Sequence, residues 1–275
     1  MRALPGLGEF ELLAVDVGQG TAVLVRTRGH LLVYDAGPQY SRDSDAGQRV
    51  LLPLLRARGE QRIDRLLLSH RDTDHVGGAQ ALIKGLPVGE LLSSLQASHP
   101  LLALAPRPVR CQAGQSWDWD GVHFDVLRPL AGDYARTLKS NAMSCVLRIS
   151  AASRSALLTG DIEHEQEAAL VADLGAALHS TVLVVAHHGS RSSSTAEFLA
   201  AVAPQTAIIQ AGYRNRFAHP APEVLARLGE RGILTLASPE CGAWRWSSAH
   251  SPEGVCEREA TRRYWRHGAG VPPSP

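Results

Sequence analysis

Several protein classes are excluded by what this sequence has little of. Aromatic residues make up only 5% of its 275 residues, too few for the extended platforms on which sequence-tolerant single-strand binders stack bases. Neither sign of charge dominates, since 28 Lys and Arg face 27 Asp and Glu. That balance excludes a protein that coats nucleic acid by bulk positive charge, and leaves room for a local basic groove. The four cysteines, Cys111, Cys145, Cys241 and Cys256, form no C-x-x-C pair, so neither a zinc knuckle nor a thioredoxin-like motif is expected. Free buried thiols are the favoured reading of them, with one or two disulfides as the alternative. No run approaches the roughly 20 apolar residues of a membrane-spanning helix. The opening MRALPGLGEFELLAV has neither the long apolar stretch nor the cleavage site of a secretory signal. The expectation is a soluble chain, either whole or as a soluble piece of a larger membrane protein.

What is present is a hydrophobic content of 44%, enough for a full core. Short β-rich runs at Glu11–Val17, Thr21–Thr27 and His30–Asp35 are stopped by Gly- and Pro-containing turns, and an apolar run at helical spacing covers Ala46–Ala57. Asp64–Ser69 reads as a buried strand running into His70. Several short strands are expected between Val88 and Leu127, then a hairpin of Met143–Ile149 with Ser155–Leu158 and a helix from Glu163 to Leu174. Further strands are expected at Thr181–Ala186, Thr206–Gln210 and, last, Cys241–Trp246, with helices at Thr195–Val202 and Pro222–Leu228. Strands with interleaved helices predict an α/β (α+β) sandwich, two mixed sheets face to face with helices outside. One domain is expected over residues 1–250. Residues 251–275 then form a basic C-terminal extension, with Arg258–Arg266 amphipathic and the tail from Val271 disordered.

The chemistry concentrates in Ser69-His70-Arg71-Asp72-Thr73-Asp74-His75-Val76-Gly77-Gly78. His70, Asp72, Asp74 and His75 are potential metal ligands packed directly after an apolar strand, where a tight loop can aim several side chains at one point. Gly77 and Gly78 would let the backbone turn closely into the next helix.

This segment resembles the H-x-H-x-D-H signature of the metallo-β-lactamase superfamily, with Asp72 in place of the second His. In this His-to-Asp form, and with the motifs that follow, the chain is similar to the C-terminal domain of the ComEC family, the membrane channels of bacterial DNA uptake. Asp16-Val17-Gly18-Gln19-Gly20 resembles the first family motif, whose Asp braces the metal loop from behind. Leu158-Thr159-Gly160-Asp161 looks like the strand end whose Asp bridges two metals, and Ala186-His187-His188-Gly189-Ser190 like the segment that supplies a further His. Phe217-Ala218-His219-Pro220 resembles a segment whose His lies near the substrate phosphate. Asn141 stands where many relatives place a metal-binding His.

The resemblance implies one metal position from Asp74, His75, Asp161 and His187. A second, richer in oxygen, is implied from His70, Asp72, the bridging Asp161 and Asn141. Replacing imidazole by oxygen donors favours Mn²⁺, with Zn²⁺ or Mg²⁺ as alternatives. Two such ions suit in-line phosphodiester cleavage, with Asp74 and Asp161 orienting the nucleophile and His219 or His188 protonating the leaving oxygen. Lys139, Arg191, Arg214 and Arg216 are candidate phosphate contacts, and Tyr213 and Phe217 interleave with the last two. The implied function is a metal-dependent nuclease domain of a ComEC-like channel. It would degrade the DNA strand not taken up in transformation, acting on single- or double-stranded DNA from the outer or periplasmic face of the inner membrane. The remainder of the channel is the implied partner, and no soluble protein partner is indicated. A small-substrate phosphodiesterase similar to the phosphorylcholine esterases and a non-catalytic DNA-binding or channel-regulating domain are the alternatives. The ligand set leans away from the His-rich zinc site of a true β-lactamase.

Overall fold

The computed structural model describes residues 3–152, 154–250 and 253–261. It is a sandwich of an eight-stranded and a seven-stranded mixed sheet, with a small two-stranded ribbon of Gln39–Ser41 and Ser44–Asp45 beside them. The first sheet runs Val255–Cys256, Trp244–Ser247, Glu11–Ala14, Val23–Arg26, Leu31–Tyr34, Ile63–Leu68, Val88–Ser93 and Pro108–Arg110. In the second the order is Leu234–Ala237, Thr206–Ile209, Val182–Val184, Ser155–Leu158, Val146–Ser150, Val122–Arg128 and Ser116–Trp119.

Alternation along the strands builds three layers of packing. Leu12, Val25, Leu32 and Tyr34 from the first sheet meet Phe124, Leu147, Leu158 and Val184 from the second between the sheets. The intervening residues Leu13, Leu24 and Val33 face outward onto Leu51, Leu55 and Leu82 of the helices. On the far side, Leu157, Leu183 and Ile209 pack against Leu170, Phe198 and Leu228. Successive strand side chains point to opposite faces, so a strand covered on both faces must be apolar throughout. That is why Leu31–Tyr34 and Ser155–Leu158 are buried at every position.

The predicted class stands, with local corrections. The helix expected at Ala46–Ala57 begins with a wide π turn, Gly47–Leu51, before the α-helix Leu52–Ala57. A short helix, Pro100–Leu104, interrupts the segment read as strands alone. The hairpin strand starts at Val146, because Asn141–Met143 forms a 3-10 turn. Leu234–Ala237 is an additional edge strand, and Val255–Cys256 follows the strand expected to be last.

The cysteine reading is also corrected. Cys111 is bonded to Cys145, and Cys241 to Cys256. The first bond joins the end of Pro108–Arg110 in one sheet to the residue before Val146–Ser150 in the other, inside the core between them. The second accompanies the pairing of Trp244 with Cys256. Sequence separation could not reveal either, because sheet topology alone brings the partners together. Residues 253–261 thus pack onto the sandwich; Arg262–Arg266 and the tail from Val271 lie outside the described residues.

In both sheets the parallel strands point the same way. Leu31–Tyr34, Ile63–Leu68 and Val88–Ser93 are mutually parallel, as are Ser155–Leu158, Val182–Val184 and Thr206–Ile209. The candidate site lies where the C-terminal ends of both sets converge, the usual ligand-binding edge of parallel sheets.

Candidate metal centre

The loop after Ile63–Leu68 enters a single helical turn, Thr73–Val76, which carries Asp74 and His75. Its two glycines are needed for space and not for unusual dihedrals. A Cβ on Gly77 would lie 2.1 Å from the Gln39 nitrogen, and one on Gly78 2.3 Å from the Ala36 carbonyl oxygen. Gly20 plays a related part from the opposite side: at φ +146° it sits under the Asp74 carbonyl, 2.4 Å from where a Cβ would be. The Thr21 N–H donates to that same carbonyl at 3.1 Å.

Asp74, His75, Asp161 and His188 bring one donor atom each to within 4.8 Å of one another. Asp161 follows the strand Ser155–Leu158, and His188 lies just past Val182–Val184. Both imidazoles are fixed from behind. His75 Nδ1 lies 2.7 Å from Asp35 Oδ2, and His188 Nδ1 donates to the Gln210 carbonyl at 2.8 Å. A carbonyl only accepts, so His188 carries a proton on Nδ1 and Nε2 is the nitrogen that faces the centre; the carboxylate behind His75 orients its Nε2 the same way. Asp35 also accepts from the Ser69 N–H and hydroxyl, each at 2.7 Å. It adopts a left-handed φ of 58°, as do His187 at 51° and His188 at 54°. Such backbone is costly for residues other than glycine and is concentrated at functional sites.

The donor set fits a divalent cation. His70 Nε2, His75 Nε2 and Asp161 Oδ1 are buried polar atoms without a hydrogen-bond partner. Yet His75 Nε2 and Asp161 Oδ1 are only 3.1 Å apart. Atoms of this kind are expensive to leave unsatisfied; a cation among the four convergent residues would satisfy His75 Nε2 and Asp161 Oδ1, and one on the His70 side would satisfy His70 Nε2. Charge is already separated among them. Burial alone would lower His75, but Asp161 and Asp35 outweigh it and raise its pKa well above the usual imidazole value. His188 is likewise raised, with Asp161 outweighing burial. Asp161 is held well below the carboxylate range, with His75 and His188 overcoming its burial.

Comparison with known proteins gives the family of this fold. A family model described as the metallo-β-lactamase superfamily matches residues 15–213. The chain belongs to that superfamily. Among solved metallo-β-lactamase structures it is similar to the fold protein YhfI from Bacillus subtilis, with a TM-score of 0.58 at 11% identity, covering 87% of this chain and 100% of that one. It is also similar to the metallo hydrolase Igni18 from Ignicoccus hospitalis, with a TM-score of 0.55 at 12% identity over 88% of this chain and 100% of that one. These likenesses concern the fold. In sequence the chain is 38% identical to competence protein ComA of Neisseria gonorrhoeae over 91% of this chain and 34% of that protein. It is 34% identical to ComE operon protein 3 of Bacillus subtilis over 85% of this chain and 32% of that protein. The chain therefore spans about a third of the length of these curated relatives.

Within the metallo-β-lactamase frame, the residues singled out from sequence fall into three groups. Asp74, His75 and Asp161 meet as expected, but the histidine that joins them is His188 and not His187. His187 Nε2 stands 3.9 Å from Asp161, and its Nδ1 is 3.5 Å from Glu163 Oε1. The inversion follows from the left-handed backbone at both residues, which turns His188 inward and leaves His187 at the rim. Adjacent histidines cannot be told apart by order alone.

His70 and Asp72 form the second group. His70 is buried, with Nδ1 3.0 Å from Ser69 Oγ and Nε2 3.5 Å from Asp72 and 4.0 Å from Asp161. The neighbouring His70 draws the Asp72 carboxyl down to about 2. Asn141 lies apart, its amide 3.5 Å from Glu163 Oε1, which also accepts from the Ser192 hydroxyl at 3.1 Å.

The third group does not touch the metal loop. Asp16 accepts from the Gly18 N–H and from Arg258, each at 3.3 Å. Its motif braces the loop through Gly20 and Thr21, and the carboxylate behind the histidine is Asp35, which the sequence reading missed. Its signal was present, as a lone acid closing the apolar run Leu31–Tyr34. Glu163, two residues past Asp161, was missed as well. His219 stacks near the rim, 5.7 Å from His187 and 6.4 Å from His188 between ring centroids. Its own burial, with His187 and His188, pushes it down to about 4. Lys139, Arg191, Arg214 and Arg216 are exposed. Arg214 lies over Tyr213 and Arg216 over Phe217, at 5.2 and 4.8 Å. Both rings face solvent, at 75% and 49% exposure, so Phe217 is not a core residue.

Proposed function

We propose that this domain is a metal-dependent phosphodiesterase acting on DNA, the nuclease part of a ComEC-like uptake protein that degrades the strand not taken up. The observation that carries this reading is the convergent set Asp74, His75, Asp161 and His188, in which His75 Nε2 and Asp161 Oδ1 are buried and have no hydrogen-bond partner. Asp161 lies within 4.0 Å of His70, His75, His187 and His188, and so reaches both sides of the centre. It would hold one ion with the convergent set and share a second with His70 and Asp72. The oxygen share of that second position favours manganese.

A divalent ion there supplies a nucleophile at neutral pH and neutralises phosphate charge. The chain's own residues do the rest. Asp74, kept ionised because His188 and His75 outweigh its burial, accepts a hydrogen bond from the attacking water and orients it. Both nitrogens of His188 are engaged, Nδ1 by the Gln210 carbonyl and Nε2 at the centre, which leaves His219 as the imidazole for the substrate. With its pKa near 4, His219 is neutral at pH 7 and donates a hydrogen bond to the phosphate or leaving oxygen. Arg214 and Arg216, flanked by the exposed rings of Tyr213 and Phe217, would grip the strand by phosphate contact and base stacking. Arg191, which reaches Glu223 at 3.7 Å, and Lys139 would add further phosphate contacts.

Two observations favour the channel context. One named relative is a competence protein, the other a ComE operon protein, and each is about three times as long as this chain. The two disulfides suit an oxidising compartment outside the cytoplasm. No helix among the described residues is long and apolar enough to cross a membrane, so the anchor would be the remainder of the channel. The test is cleavage of labelled single- and double-stranded DNA by metal-stripped protein with Mn²⁺, Mg²⁺ or Zn²⁺ returned separately. Manganese-dependent cutting supports the reading. DNA binding without cutting under any metal shifts it to a channel-regulating domain, and hydrolysis of small aryl diesters alone to a small-substrate esterase.

A further inference from the structure

Beside His70, and lined by none of residues 213–219, lies a cavity of about 390 Å³. Nothing in the motifs assigns it. It sits at the C-terminal ends of Val88–Ser93 and Pro108–Arg110, the same edge on which the metal loop lies. Arg71, Arg110 and Arg136 line it against the single acid Asp133. Asp133 is already engaged by the Leu130 N–H at 2.8 Å and by Arg136 at 3.6 Å. Arg71 and Arg110 make no ion pair among the described residues, and both are exposed. With Arg136 held by Asp133 and the Asp72 carboxylate engaged by His70 and Ser140, Arg71 and Arg110 remain as two arginines without an ion pair among the described residues, lining a cavity beside a metal-ligand candidate.

The cavity also has apolar wall. Tyr134, Leu95 and Met143 line it. The Tyr134 hydroxyl donates to the Cys111 carbonyl, and the Arg110 guanidinium lies 4.7 Å above its ring. Cation–π attraction of this kind holds the guanidinium in place before a ligand arrives. The wall is tied to the metal loop: the Ser94 hydroxyl donates to the Ser69 carbonyl at 2.6 Å, and the Cys145 N–H to the same oxygen at 2.9 Å. A cavity of this volume, with apolar wall and a few convergent cations, is of small-ligand size. Guanidinium is suited to phosphate by geometry and charge.

We propose that this cavity is a nucleotide subsite that takes the unit of the DNA strand lying beyond the scissile phosphate. Arg71 and Arg110 contact its backbone, and the Tyr134 side of the wall receives its base. The strand then runs from the Arg214/Arg216 rim, across the centre, into the cavity. This inference rests on the phosphodiesterase reading of the same centre.

The test is binding of a short fluorescein-labelled single strand to metal-free protein, followed by anisotropy at several salt concentrations. Arg110→Ala is the main variant, since Arg71 adjoins the metal loop; Arg110→Gln keeps the stem, and Arg71/Arg110→Ala removes both cations. Each lost arginine should weaken binding about tenfold, the size of one charge-assisted contact. It should also flatten the salt dependence by roughly 0.7 per arginine. Arg62→Ala, at the opposite end of the strand Ile63–Leu68, should change neither. Unchanged affinity in the Arg110 variants, or an equal loss in Arg62→Ala, overturns the subsite. Manganese-dependent hydrolysis of a small aryl phosphodiester separates the two proposals. It should survive Arg110→Ala, because that substrate has no neighbouring nucleotide; its loss would mean that Arg110 acts on the centre itself and would also overturn the subsite. If wild-type protein cleaves neither aryl diester nor DNA, the phosphodiesterase reading falls, while the binding measurement still decides the cavity.

Discussion

On the enclosed side of the centre, His75 and His188 are gripped from behind by Asp35 and by the Gln210 carbonyl. The open side is held differently. Asp72 keeps 43% of its side chain exposed, His187 Nδ1 faces the rim residue Glu163 at 3.5 Å, and Asn141 reaches only as far as Glu163. Only His70 on that side is buried. The enclosed donors are already aimed before any ion arrives, so little ordering cost opposes binding there. The open donors must be drawn in by the ion itself, which weakens their position. An asymmetric centre of this kind should fill in two distinct steps.

The largest effect should come from Asp161, which serves both sides. Asp161→Ala should abolish manganese binding at both positions, read by calorimetric titration, and with it all manganese-dependent hydrolysis. Next come the adjacent histidines. His188→Ala should cost at least about 100-fold in the tighter manganese affinity, beyond the range typical of residues behind the ligands, whereas His187→Ala should leave that step intact and weaken only the second. Equal effects of the two would erase the comparison. Asp35→Asn should follow, with roughly 10- to 100-fold weaker metal binding, because an amide no longer fixes the His75 tautomer.

Acidity should sharpen the contrast further. In metal-free protein Asp161 is depressed and His75 raised. The depressed carboxylate stabilises the fold above its ordinary pKa and loses this as pH falls. The raised imidazole stabilises the fold below its ordinary value and loses this as pH rises through its folded pKa. Metal-free Tm should therefore peak between about pH 4 and 6.5, and Asp161→Asn should flatten the peak. The smallest effect belongs to the rim. Arg214→Ala and Arg216→Ala should weaken DNA binding severalfold and lower its salt slope, with both metal steps unchanged.

Much of this was legible in the sequence, for physical reasons. Runs such as Leu31–Tyr34, and the Leu66–Leu68 end of the strand that leads to the metal loop, are apolar enough that burial on both faces leaves little choice of structure. The spacing of His70, Asp72, Asp74 and His75 declares a ligand loop because the strand end and the glycines constrain where it can point. What escaped depends on contacts between distant segments. Whether His187 or His188 turns inward is decided by two left-handed residues. Asp35 matters only because its parallel neighbour ends at Ser69. The pairing of Cys111 with Cys145 requires knowing which strands of the two sheets face each other. Asp16 misled because its motif works through backbone, with Gly20 and Thr21 making the contacts credited to the acid.

The most direct test is a manganese titration of metal-stripped wild-type and His188→Ala protein, read as cleavage of labelled single-stranded DNA. Cleavage that rises with manganese in the wild type and stays at background in His188→Ala is the predicted result. A His188→Ala curve that overlays the wild type, or DNA that remains intact at every manganese concentration, would contradict the account.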